Sequence, residues 1–183
     1  VPTDGVLERD PTTGVPLRVQ RAGRVNGPAW EASDAPDSAH NDGQTADRAI
    51  AVLGEIKDRP FFLAVGFLKP HLPFVAPRAY FDRYPPESIQ TAGNPDPPAN
   101  APELAMTNFG ELRSYSDIAR QGPVPEAKAK ELIRAYRAAT SFVDAQIGRV
   151  LAELDLLGLR ERTIVVLWSD HGWQLGEHGQ WCK

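Results

Sequence analysis

Two continuous apolar runs, each preceded by helical periodicity, predict an α/β fold with a mostly parallel central sheet. Residues 61–67 read FFLAVGF and residues 164–168 read IVVLW. Hydrophobicity that does not alternate is the pattern of strands covered on both faces. Helix and strand in alternation build parallel sheets. Each run ends abruptly at a polar turn with a histidine, Lys69-Pro70-His71 after the first and Ser169-Asp170-His171 after the second. Ligands of such sheets bind beyond the carboxyl ends of the strands.

Residues 1–44 carry Asp10-Pro11, Thr13-Gly14, Asn26-Gly27-Pro28 and Asp34-Ala35-Pro36. These are turn chemistries, and the segment reads as loop-rich, with one short strand expected within 14–24. Ala46, Ala49, Ile50, Leu53 and Ile56 then recur at three- and four-residue spacing, one face of an amphipathic helix. Thr45 is its expected N-cap, and Asp58-Arg59-Pro60 its end. The first apolar run follows and stops at Pro70, which cannot continue a ladder.

Residues 75–108 are rich in proline, with a short helix expected at 78–84. An excursion this long inside a domain is usually functional, and here it is expected to shape a substrate pocket. The clearest element is a helix over 126–157, with Leu132, Tyr136, Ala139, Val143, Ile147, Val150 and Leu154 at helical spacing. Pro125 fits its first turn and Gly158 its C-terminus. The second apolar run follows at once. Two strands cannot close a covered sheet, so the chain is expected to be part of a larger one.

Composition narrows the function classes. The chain has 183 residues and a formal net charge of −4, which offers no basic surface for nucleic acid. It has no apolar stretch of about 18 residues, the length that spans a bilayer. No signal peptide is visible, and the first residue is Val1. The lone cysteine, Cys182, excludes an internal disulfide framework or a multi-cysteine zinc site. Gly176 and Gly179 mark tight turns but form neither a P-loop nor GxGxxG, and Ser169 is not in a GxSxG elbow.

The candidate chemistry lies in the two polar turns and in residues 163–183. Asp170 is a hard oxygen donor suited to calcium or magnesium, with His171 beside it. A turn-capping aspartate and a histidine on the sheet edge would read the same way. His71, held between Pro70 and Pro73, can bind an anion or protonate a leaving group. Lys183 and His178 can add positive charge toward a phosphate- or sulfate-shaped group.

Three segments in order, FFLAVGFLKPHLPF, AYRAATSFVDAQIGRVLAELDLLGL and TIVVLWSDHGWQLGEHGQWCK, resemble the sulfatase family of the alkaline-phosphatase superfamily, and in particular its iduronate-2-sulfatase-like members. SDHG alone is moderately specific. KPHLPF followed at this distance by SDHGWQLGEHGQW and a lysine is highly specific. The resemblance implies a three-layer α/β sandwich, with 1–44 a loop-rich part of the same domain as a partial catalytic domain over 45–183.

It also implies roles. Asp170 would be a Ca2+ ligand, with His171 near the metal. His71 and Lys183 would contact the sulfate, and His71, His171 and Lys183 would form the catalytic set. Lys69 and His178 belong to the same motifs and join the substrate-binding candidates. The family's nucleophile is a formylglycine made from Cys-x-Pro/Ala-x-Arg. That motif and the paired aspartates that complete the calcium site are absent, and Cys182 does not replace them. The implied activity is hydrolysis of a sulfated carbohydrate, in the periplasm, outside the cell or, in an animal, in the lysosome. The chain by itself is expected to be inactive. A phosphonate or phosphodiester hydrolase, or a glycan-binding protein without turnover, are the alternatives.

Overall fold

The computed structural model describes residues 27–102, 105–106 and 109–183. The strand expected within 14–24 lies outside the described residues. The elements in chain order are β1 (Trp30–Ser33), α1 (Asn41–Ile56), β2 (Phe74–Pro77), α2 (Arg78–Phe81), α3 (Glu126–Leu156), β3 (Gln174–Leu175) and β4 (Trp181–Cys182). Strands β1 and β2 pair in parallel, Trp30 opposite Phe74, and β3 pairs antiparallel with β4. Helix, strand and a parallel pair together are the expected α/β class.

Helix α3 forms where its periodicity places it. It buries Leu132, Ile133, Ala135, Ala139, Phe142 and Val143. Glu126 in its first turn complements the helix dipole, and Gly158 just beyond its end takes φ +65°. Phe74 of β2, Phe81 of α2, Leu112, Leu132 and Phe142 are each at most 2% exposed and form the centre of the main core. A smaller cluster of Leu53, Leu154 and Leu159 joins the ends of α1 and α3.

Helix α1 begins four residues before Thr45, at Asn41. Gly43 permits this, because a Cβ there would lie 1.9 Å from the Asp37 carbonyl oxygen. Asp42 in the first turn both favours the helix N-terminus and accepts hydrogen bonds from the chain beyond residue 67. The short helix after β2 is confined to Arg78–Phe81.

The two apolar runs are extended but unpaired: among the described residues no strand lies beside either. Residues 61–68 still show the two-residue period of a strand, with Phe61, Leu63, Val65 and Phe67 half-buried and Phe62, Ala64, Gly66 and Leu68 exposed. Phe61 and Leu63 pack on the smaller cluster. In the second run Ile164 is 92% exposed and Trp168 76%. The parallel pair that does form, β1 with β2, uses short segments flanked by proline that carry no long apolar run.

Candidate active site

Three pieces of chain converge beyond the ends of the apolar runs. The first is the turn 68–73, with cis peptide bonds at Lys69-Pro70 and Leu72-Pro73. Asp42, buried in α1, fixes its start: the two carboxylate oxygens accept the Leu68 and Lys69 backbone N–H groups, each at 2.9 Å. Its far side is closed by Lys69, whose ammonium donates to the carbonyls of His71 at 3.0 Å and Pro73 at 2.6 Å. Burial pulls the Lys69 pKa below its ordinary value, and Asp42 partly offsets the effect. The Lys69 amine thus holds the turn that presents His71.

His71 Nδ1 lies 2.7 Å from the Leu72 carbonyl oxygen, an acceptor only, so Nδ1 carries a hydrogen. Nε2 is left facing outward. It stands 3.1 Å from Lys183 Nζ and 2.9 Å from Glu111 Oε1. The two neighbours make opposite demands. The ammonium donates only and calls for the Nε2 lone pair, whereas the carboxylate accepts only and calls for a proton there.

The second piece is the β3–β4 hairpin. Its register sets Gln174 opposite Cys182 and Leu175 opposite Trp181. One step further out, Trp173 faces Lys183, and the Lys183 ammonium lies 5.0 Å from the Trp173 ring centre, a cation–π contact. Trp173 also meets His71 edge-on, with centroids 5.7 Å apart, and lies 6.5 Å from the His171 ring. The indole therefore stands between the two histidines. At the hairpin's other end Gly176 takes φ +109° and His178 φ +54°. His178 Nδ1 donates to the Asp96 carbonyl at 3.0 Å, and its backbone N–H donates to Asn94 O at 2.7 Å. His178 ties the hairpin turn to the proline-rich excursion rather than joining His71 and Lys183.

The third piece is the Ser169–Gly172 turn. His171 Nδ1 donates to the Gly172 carbonyl at 2.8 Å, and Nε2 lies 3.3 Å from Asp170 Oδ2. The Asp170 side chain is 84% exposed. His71, Asp170, His171, Trp173 and Tyr136 share one cleft of about 1760 Å³ that continues between the two apolar runs.

Asp170 suits a calcium ion as an oxygen donor. Calcium takes six to eight oxygens, and among the described residues no group of three or more acidic, histidine or cysteine side chains gathers to hold a metal. Asp170 and His171 could supply only part of such a shell. Cys182 is buried, and burial raises its thiol pKa to about 11. A thiol so protonated is a poor nucleophile.

Two site residues had no separate signal in the sequence. Trp173 is visible only once the hairpin register sets it against Lys183. Glu111 lies between the excursion and helix α3 with no motif around it, and only the fold brings it to His71 and Lys183.

A family model for sulfatases matches residues 13–183. The chain belongs to the sulfatase family. It is 38% identical over 161 residues to iduronate 2-sulfatase of Mus musculus, covering 84% of this chain and 29% of that protein. It is 37% identical over 165 residues to a sulfatase of Formosa agariphila, covering 88% of this chain and 31% of that one. A solved phosphonate monoester hydrolase from Silicibacter pomeroyi superposes with a TM-score of 0.64 at 22% identity, over 96% of this chain and 33% of that one. The last likeness concerns the fold. This sulfatase chain spans less than a third of the length of the curated relatives named here, and among its described residues no helix is long and apolar enough to cross a membrane.

Proposed function

We propose that this sulfatase chain carries the sulfuryl-binding wall of a sulfuric ester hydrolase acting on a sulfated carbohydrate. The observation that supports it is the meeting of His71 Nε2 and Lys183 Nζ at 3.1 Å across 112 residues of sequence. A donor-bearing ring and an ammonium aimed at one point, against an aromatic wall, suit a tetrahedral anion.

Lys183 binds and partly neutralises the non-bridging oxygens of the ester. His71, fixed through Nδ1, holds at Nε2 the proton that the departing alcohol oxygen takes up. Asp170 is the proposed oxygen ligand of a Ca2+ ion, with His171 beside it. When bound, calcium would offset charge on the sulfuryl oxygens, and a formylglycine, supplied from outside these residues, would provide the nucleophile. The proposed place of action is the periplasm, the cell exterior or, in an animal, the lysosome, where sulfated glycans are met.

The test uses a polypeptide of the relatives' full length that carries this sequence. With an aryl sulfate or a sulfated uronate as substrate, His71→Ala is expected to lower kcat by roughly 10²–10⁴-fold, the range of general acid catalysis. Asp170→Ala is expected to abolish calcium-dependent turnover. Normal rates in both variants would overturn the reading, and preferential turnover of a phosphonate ester would replace it with the related hydrolase.

A further inference from the structure

The site proposed for an anion already contains one. Sites that stabilise an oxyanion gather donors and positive charge, yet the Glu111 carboxylate sits between the two cationic candidates. Its Oε1 is 2.9 Å from His71 Nε2 and 3.3 Å from Lys183 Nζ, and its Oε2 is 3.0 Å from the same ammonium. Glu111 thus spans both groups that the sulfuryl oxygens would use.

The Glu111 backbone is held firmly while its side chain keeps room to move. Its carbonyl accepts from Ser114 Oγ at 2.7 Å, and the next residue, Leu112, is 1% exposed in the main core. The side chain as a whole is a third exposed. His71 Nε2 has one position for a hydrogen, so it cannot serve Glu111 and a substrate oxygen together. Any tetrahedral anion that takes the His71 contact must therefore take it from Glu111, and at Lys183 it meets the same carboxylate across an ammonium whose three N–H groups the two would share.

We propose that Glu111 is a displaceable counter-ion that gates this anion site. It holds His71 and Lys183 together when no anion is bound and swings aside when a sulfuryl group enters. Its return then helps to expel inorganic sulfate, the product of ester hydrolysis. The inference rests on the anion-site reading above. It is distinct from a scaffold role for Glu111, which would make anion binding weaker when the carboxylate is removed.

The sign of one binding change decides between the two. The 183-residue chain is titrated calorimetrically with sodium sulfate at fixed ionic strength, as wild type, as Glu111→Gln and as Glu111→Ala. Circular dichroism melts select whichever variant keeps the fold. Removing a resident negative charge at contact distance is expected to tighten sulfate binding about tenfold. The control Glu55→Gln, which makes the same charge change at an exposed pair with Arg48, is expected to leave it unaltered. Binding in wild type that is equal or weaker in the Glu111 variants would overturn the gate alone. Equal tightening in the Glu55 control would also overturn it. Sulfate binding in none of the proteins would overturn the anion-site reading beneath it.

Discussion

The carboxylate of Asp42 lies against the backbone of Lys69, with Oδ2 accepting its N–H at 2.9 Å while Oδ1 accepts that of Leu68. This contact couples the first turn of α1 to the turn that carries His71. Asp42 is 2% exposed, and its two acceptor oxygens are matched to the two amides one for one. Asp42→Ala leaves those amides unsatisfied, which costs about 1–3 kcal/mol each when buried and less where water reaches them. Urea unfolding is expected to show a loss in that range. Asp42→Asn, which keeps one carbonyl oxygen, is expected to fall between alanine and wild type. Equal stability of all three would remove the coupling.

The Cys182 thiol gives a second readout, because it is the chain's one cysteine. Burial, first, raises its pKa from the ordinary 9.0 to about 11. The thiolate reacts and the thiol does not. Native alkylation by iodoacetamide is therefore expected to keep rising with pH toward about 11, whereas the unfolded chain levels off near 9. The stability sign follows from the same shift. A raised folded pKa means that the contribution is fully present below about 9 and is lost as pH rises through about 11. A native alkylation profile that levels off near 9 would contradict the burial.

Local pattern made some of this architecture legible and long-range geometry withheld the rest. Helix α3 could be read because a long period of apolar positions leaves little choice. The start of α1 falls earlier than expected because residues 41–44 belong by pattern to the loop-rich segment, whereas Gly43 serves a close approach to Asp37 and Asp42 a bond to a distant loop. Strands β1 and β2 are four residues each, too short for periodicity to register. At the site, His71, Asp170, His171 and Lys183 stood out because motif spacing marks them. Lys69 and His178 carry the same motif signal, yet their side chains bond to main-chain carbonyls. Glu111 had no signal because its partners, 40 and 72 residues away by position, meet it only through the fold.

The two apolar runs supply the last prediction. Between residues 61–67 and 164–168 no backbone hydrogen bond is formed among the described residues, and Phe62 and Ile164 are each 92% exposed. Amide exchange reports the free energy of opening, from about zero for unbonded amides up to the global stability, roughly 5–15 kcal/mol, for core helices. In the 183-residue chain the amides of both runs are expected to exchange near the unprotected rate, while those of Phe142 and Val143 in α3, which are 1% and 7% exposed, are retained longest. Cleft-lining residues come from every position of 61–68. Since successive strand residues point to opposite faces, that cleft borders the edge of the run, where N–H and C=O groups project. A full-length polypeptide carrying this sequence is accordingly expected to protect the same amides by adding strand neighbours. Protection of both runs in the 183-residue chain would show that they pair without such neighbours, and lack of protection in the longer polypeptide would deny them a place inside the parallel sheet.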